Sequence, residues 1–131
     1  MIALDTNILV RYIAQDDPTQ SARATKLIET ECSSDNPGFI GLITLAELVW
    51  VSESCYKASK QDVINLIRRI SGTKQFLLQE TETVWKALRL FETGQADFAD
   101  YLVERVANAA GCRTTFTFDK TAAKAGMTLL K

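Results

Sequence analysis

The chain has 131 residues, of which 47% are hydrophobic and 24% charged, and its formal net charge at pH 7 is −1. This length and composition predict one globular domain over residues 1–131 with a sizeable buried core. The near-neutral charge excludes an overall basic field, so a nucleic acid would have to meet a local patch of positive charge.

The first half of the chain alternates short apolar runs with amphipathic segments. Asp17 before Pro18 is typical of a helix start, and Thr44 three residues before Glu47 fits a capping box. The predicted elements are, in order, a strand at 2–4, helices at 6–15 and 18–32, a strand at 38–43, and helices at 44–53 and 59–70.

The second half continues the same alternation. Gly94 and Gly111 each follow an amphipathic segment and predict a helix end. The predicted elements are a strand at 76–78, helices at 81–93 and 97–110, a strand at 114–118, a short helix to residue 125 and an edge strand at 128–130. The best-defined strands are apolar throughout, which is the pattern of a parallel sheet covered on both faces. We therefore expect a three-layer α/β/α fold with a central, mainly parallel sheet.

Two aspartates stand where apolar runs end. Asp5 follows the first predicted strand and Asp119 follows the strand at 114–118. Ligands of parallel sheets bind outside the carboxyl ends of the strands, so we expect both side chains at one edge of the sheet. The alternative is that each aspartate only caps the helix that follows it.

Three further acids lie on predicted helices. Glu47 has apolar neighbours at helical spacing, and a carboxylate on an apolar face is costly unless it is paired or binds a cation; the alternative is the capping box with Thr44. Asp97 and Asp100 open a helix, where the helix dipole alone favours acids. Asp100 shares a face with Val103, so we expect it to point inward and Asp97 to lie at the rim.

The side chains present in the sequence limit which kinds of catalysis are possible. There is no histidine, which excludes Ser-His-Asp and Cys-His catalysis, and there is no phosphate-binding glycine loop. Clustered carboxylates raise one another's pKa unless a cation joins them, and oxygen ligands are those of Mg²⁺ or Mn²⁺. The sequence therefore points to metal-dependent phosphodiester chemistry.

Four motifs in order resemble those of the PIN-domain nucleases. They are the Asp-Thr-Asn that begins at Asp5, the Thr-Leu-Ala-Glu that ends at Glu47, the Ala-Asp-Phe-Ala-Asp that ends at Asp100, and the Thr-Phe-Thr-Phe-Asp that ends at Asp119. Within that family the chain looks most like the VapC-type toxins of bacterial toxin–antitoxin pairs.

The resemblance implies a Mg²⁺- or Mn²⁺-dependent endoribonuclease. It places Asp5, Glu47, Asp100 and Asp119 on the acidic quartet, with Asp5 and Asp100 as the best direct ligands. Asp97 would support the third acid, and polar support would come from Asn7, Thr44 and Thr117. It also implies a homodimer and a cognate antitoxin segment laid in a groove between the early helices. Nearby basic residues that could meet RNA are Arg11, Lys120 and Lys124.

Two rival functions stay open at this point. A PIN-like fold could bind RNA or a protein without cutting it, although the usual sign would be lost acids and all four are present. A phosphatase that forms an aspartyl-phosphate would need a second aspartate two residues after Asp5, where the chain has Asn7. The three cysteines form no metal-binding pattern and indicate reduced thiols. With no leader and no membrane-length apolar run, we expect a cytoplasmic protein without membrane contact.

Overall fold

The computed structural model describes residues 1–131, and they form two compact units, residues 1–79 and 80–131. Helices and parallel strands alternate along the chain, which confirms the α/β fold class. The elements are α1 (Thr6–Ala14), α2 (Pro18–Glu31), β1 (Gly38–Ile40), α3 (Leu42–Tyr56), α4 (Lys60–Gly72), β2 (Phe76–Leu78), α5 (Thr81–Thr93), α6 (Phe98–Ala109), β3 (Phe116–Thr117), α7 (Lys120–Ala123) and β4 (Thr128–Leu129). None of the helices combines the length and the apolar character that crossing a membrane requires.

In the first unit, parallel extended segments bring distant parts of the chain to one edge. Strand β1 pairs with β2 in the register Gly38↔Phe76 to Ile40↔Leu78. Ala3 forms a single parallel bridge to Phe39 on the other side of β1, where a strand was predicted at 2–4. Because the three segments run in the same direction, their carboxyl ends lie at the same edge, and Asp5 follows the first of them.

The helices of this unit follow their local signals. Asp17 caps α2 and accepts a hydrogen bond from the backbone N–H of Gln20 at 2.9 Å, with Pro18 at the first helical position as predicted. Ser59 and Asp62 form a capping box at the start of α4. Val63, Ile67 and Ile70 are fully buried, so this stripe belongs to the core.

The predicted boundary between strand 38–43 and helix 44–53 was wrong. The strand ends at Ile40, and α3 begins at Leu42 with Gly41 as its N-cap. The backbone N–H of Leu42 donates to the side-chain oxygen of Gln79 at 2.9 Å, so a residue far along the chain satisfies the helix start. Thr44 therefore lies inside α3, and its predicted capping box with Glu47 does not form.

In the second unit, α5 packs on α6 through aromatic rings. Phe91 makes edge contacts with Phe98, at 5.8 Å between ring centroids, and with Tyr101 at 6.4 Å. Strand β3 pairs in parallel with β4, but β3 covers only two of the residues predicted at 114–118. The final strand lies at the predicted place and ends at Leu129.

Gly94 offers a test of the α5–α6 packing. A Cβ added there would collide with the phenol of Tyr101 and lie 2.9 Å from the carbonyl oxygen of Leu90. We expect Gly94→Ala to lower the free energy of unfolding by about 1–3 kcal/mol through overpacking. Urea denaturation measures the change.

Gly72→Ala is the matched control, because nothing lies within 4 Å of a Cβ at Gly72 and alanine is the better helix former. Equal stability of the two variants would contradict the close contact at Gly94.

Candidate functional site

Asp5 and Glu47 are joined by Thr6, the first residue of α1. Asp5 is the N-cap of α1, and its Oδ1 accepts a hydrogen bond from the backbone N–H of Thr6 at 2.7 Å. The hydroxyl of Thr6 donates to Oε1 of Glu47 at 3.2 Å. Thr6 therefore binds one carboxylate through its backbone and the other through its side chain, and it holds both acids in place.

Both carboxylates line one open cavity of about 470 Å³ in the first unit. The cavity lies between α1 and α3, and Thr6 and Asn7 also line it. Thr44 is not among its lining residues, so the structure gives no support for Thr44 as a polar partner of the site. Asn7 lies where the sequence placed it, beside the first acid.

Glu47 reaches this cavity from an exposed face of α3. Its neighbours Ile43 and Trp50 are 79% and 65% exposed, and Glu47 itself is exposed. The argument that Glu47 is a carboxylate on a buried apolar face was therefore wrong, because the apolar neighbours on its side of the helix face solvent. Its bond to Thr6 and its place in the cavity now support its role.

In the second unit, Asp97 and Asp100 occupy the first turn of α6. Asp97 is the N-cap, and the carboxylate of Asp100 accepts a hydrogen bond from the backbone N–H of Asp97 at 3.2 Å. The pKa of Asp100 is raised above its ordinary value of 3.8, chiefly by partial burial, and the negative charges of Asp97 and Asp119 add to this effect. Asp119 therefore lies near enough to Asp100 to oppose its ionisation.

The position of Asp100 differs from the prediction in one respect. The buried face of α6 carries Phe98, Tyr101 and Leu102, whereas Val103 is 54% exposed. Asp100 shares the side of Val103 and is only half-buried, so it does not point into the core. Asp97 is exposed, as expected of a residue at the rim.

Asp119 follows β3 and starts α7. Its Oδ1 accepts a hydrogen bond from the backbone N–H of Thr121 at 2.8 Å, and its own N–H donates to the hydroxyl of Thr117 at 3.0 Å. The predicted support from Thr117 is thus a hydrogen bond that orients the backbone of Asp119. Asp119 thus caps α7, as the alternative expected, and its role in a functional site stays a prediction.

The structure thus brings the acids together in two groups. The first unit holds Asp5 with Glu47, and the second holds Asp97, Asp100 and Asp119. Neither unit by itself contains three acidic, thiol or imidazole side chains arranged to bind a metal ion. The convergence of both groups on one pocket remains a prediction. The donors present are carboxylate, hydroxyl and amide oxygens, which fit Mg²⁺ or Mn²⁺.

Sequence reasoning missed Thr6, although it stands between Asp5 and Asn7 in the first motif. It also missed Asp16 and Tyr56, which bind each other through a hydrogen bond of 2.6 Å from the phenol to Oδ2. The two are far apart in the chain, and no local pattern links them.

The model of the PIN domain family matches residues 2–126, which is nearly the whole chain. The fold of that family is the three-layer α/β/α arrangement expected from the sequence, and the parallel strand pairs of both units agree with it. No curated protein matches the chain.

Asp100 and Asp62 provide a paired test of these electrostatics. Each is the third residue of its helix and accepts a hydrogen bond from the backbone N–H of the N-cap. The pKa of Asp62 is nevertheless lowered, chiefly by this hydrogen bond to the Ser59 backbone. The pKa of Asp100 is raised. A raised pKa means that protonated Asp100 stabilises the fold below about pH 3.8, and that this contribution is lost as the pH rises through the folded pKa. We expect Asp100→Asn to be more stable than the parent at neutral pH and to lose this advantage in acid.

Asp62→Asn should behave in the opposite way. Its ionised form stabilises the fold at neutral pH, and this contribution disappears as the pH falls through the lowered pKa. Urea midpoints of both variants over a pH series measure the two trends. Trends of the same sign would contradict the difference between the two acids.

Proposed function

This chain belongs to the PIN domain family, and we propose that within the family it is a divalent-metal-dependent endoribonuclease. PIN domains are in general metal-dependent nucleases. The observation that carries the proposal is the pair Asp5 and Glu47, held by Thr6 on one open cavity. Glu47 is exposed, so its link to Asp5 through Thr6 does not serve to pack the core.

We propose further that the two groups of acids form one site. Asp100 ionises less readily than an isolated aspartate because of burial and the charges of Asp97 and Asp119. Bringing Asp5 and Glu47 to the same pocket would increase that repulsion. A site of this composition is therefore stable in its ionised form only with a bound cation.

Each residue of the proposed site would have its own role. Asp5 and Asp100 would hold Mg²⁺ or Mn²⁺ directly, and Glu47, Asp97 and Asp119 would bind it or orient its waters. When bound, such a cation polarises the scissile phosphate and lowers the pKa of a bound water. Thr6 keeps the carboxylate of Glu47 in a fixed orientation, and Thr117 does the same for the backbone of Asp119. Asn7 supplies an amide on the same cavity.

Replacing a ligand carboxylate tests this directly. We expect Asp5→Asn and Asp100→Asn to abolish cleavage of total RNA in the presence of Mg²⁺ or Mn²⁺ while the fold survives, because the amide keeps the shape and removes the charge. Gel analysis and mapping of the cut ends measure the activity, and circular dichroism checks the fold.

Asp35→Asn is the control, because Asp35 is an exposed loop residue that lines none of the described cavities. Undiminished cleavage by folded Asp100→Asn would refute the ligand role. RNA binding without cleavage by the parent protein would support the non-catalytic reading instead.

We also propose that the protein is the toxin of a toxin–antitoxin pair, acts as a homodimer in the cytoplasm and is inhibited by a cognate antitoxin. A groove of about 260 Å³ in the first unit supports this. Its apolar lining comes from α1, α3 and α4 and includes Val10, Ile13, Leu48 and Leu66. An antitoxin helix could lay its apolar face in such a groove, and an arginine or lysine on it could pair with the acids.

Ala58→Arg tests the groove, because Ala58 lines it and a long charged side chain would fill it. We expect the variant to lose its complex with the product of an adjacent small open reading frame on co-expression, and to keep arresting growth. Ser54→Arg adds the same charge at an exposed position on α3 outside the groove and should still form the complex. No complex with the parent protein would count against the antitoxin.

The homodimer has a test of its own. Light scattering at roughly tens of micromolar, a range set by ordinary dimer affinities, should give twice the monomer mass. A monomer at that concentration would contradict the dimer and leave the antitoxin proposal standing.

A further inference from the structure

We propose that Arg11 binds an RNA phosphate next to the scissile one, and that Asp16, Gln20 and Tyr56 position its guanidinium for that contact. The inference rests on the proposed nuclease function and adds to it the residue that receives the substrate backbone.

Arg11 stands where two cavities of the first unit meet. It lines the cavity that holds Asp5 and Glu47, and it is the only cationic side chain there. It also lines a second cavity, of about 440 Å³, between α1 and α2. The two cavities share Asn7 and Arg11, so a strand that enters the carboxylate cavity from the α1–α2 side passes this guanidinium.

Neighbouring side chains hold two of the three guanidinium nitrogens of Arg11. Its Nη1 donates to Oδ1 of Asp16 at 3.0 Å, and its Nε donates to the side-chain oxygen of Gln20 at 2.9 Å. The phenol of Tyr56 donates to the other oxygen of Asp16 at 2.6 Å. Both oxygens of Asp16 are therefore engaged, and the side chain of Arg11 loses little further freedom when it binds a ligand.

The third guanidinium nitrogen, Nη2, is open. Its Nη2 group makes no hydrogen bond in the structure, and the side chain of Arg11 is 33% exposed. Arginine presents several N–H donors in a planar fork that matches the oxygens of a phosphate. A guanidinium that is fixed through Nε and Nη1 and free at Nη2 can bind an incoming anion with its remaining donors.

The distribution of charge favours a polyanion on this path. Asp5 and Glu47 repel an approaching phosphate, so the substrate needs a cation at the entrance. Asp16 offsets the charge of Arg11, but Arg23 lines the second cavity with a further positive charge and has no ion-pair partner in the structure. Two arginines along the α1–α2 side would therefore meet successive phosphates as the strand enters.

The test separates binding from chemistry. In an Asp100→Asn background, fluorescence anisotropy measures binding of a labelled single-stranded RNA of about 12 nucleotides, a length near the usual site size, over a series of salt concentrations. We expect Arg11→Gln to weaken binding about tenfold, as for loss of a charged hydrogen bond. The salt dependence should fall by about 0.7 in slope, the value for one single-strand phosphate contact.

Two further variants distinguish contact from positioning. Arg11→Lys should retain the salt slope and recover only part of the affinity, because the charge remains and the fork is lost. Tyr56→Phe frees one oxygen of Asp16, so it should weaken binding slightly without changing the slope. With the Asp100 side chain restored, Arg11→Gln should raise KM for RNA cleavage and leave kcat within a few-fold. Arg89→Gln, an exposed arginine on α5, is the matched control and should change nothing.

Different results would contradict the role of Arg11 and the proposed nuclease function. RNA cleavage by the parent protein together with unchanged affinity and slope in Arg11→Gln would overturn the role of Arg11 alone. A second result would also contradict the role of Arg11. If Arg11→Gln weakens binding of a poly-glutamate peptide but leaves RNA binding unchanged, Arg11 binds an acidic protein partner instead of RNA. Absence of both RNA binding and cleavage in the parent protein would overturn the nuclease proposal and this inference with it.

Discussion

Capping of helix starts is the interaction on which the placement of the candidate acids depends. Four of the five candidate acids lie at helix starts: Asp5, Asp97 and Asp119 are N-caps, and Asp100 is in the first turn of α6. Backbone N–H groups and the helix dipole offset negative charge at such positions. The capping role and the functional role are therefore not alternatives. The caps are what allow several acids to be carried by a chain with no histidine and few cations near them.

Helix α1 has an acidic N-cap at its start and a basic side chain in its last turn. Its nine residues span about 13 Å. Thr6 at its start joins Asp5 to Glu47, and Arg11 in its last turn is held by Asp16 and Gln20. On the proposed function, an acidic end for a cation and a basic end for a phosphate are thus fixed to one helix. Their separation depends on helix geometry and not on a flexible loop.

Hydrophobic periodicity and capping residues were enough to predict those helices whose ends are set by residues close in sequence. Helix α5 has the predicted bounds because Gly94 follows its apolar stripe, and α2 begins where Asp17 and Pro18 indicate. The start of α3 could not be predicted, since residues 38–43 are mostly apolar and the deciding hydrogen bond comes from Gln79. Asp5, Asp97 and Asp119 cap helices at places that the sequence indicated, but the side of α6 on which Asp100 lies depends on packing against α5. The contact of Tyr56 with Asp16 joins parts of the chain with no shared pattern.

The two capping boxes differ in a way that bears on how the protein responds to its surroundings. In the box of α4 the N-cap is a neutral serine, whereas in that of α6 it is a second acid. The first turn of α6 is therefore assembled against an electrostatic cost that the ionic medium can relieve. On the proposed function, cation binding and ordering of this turn are one linked equilibrium. The free Mg²⁺ concentration would then change the stability of the first turn of α6.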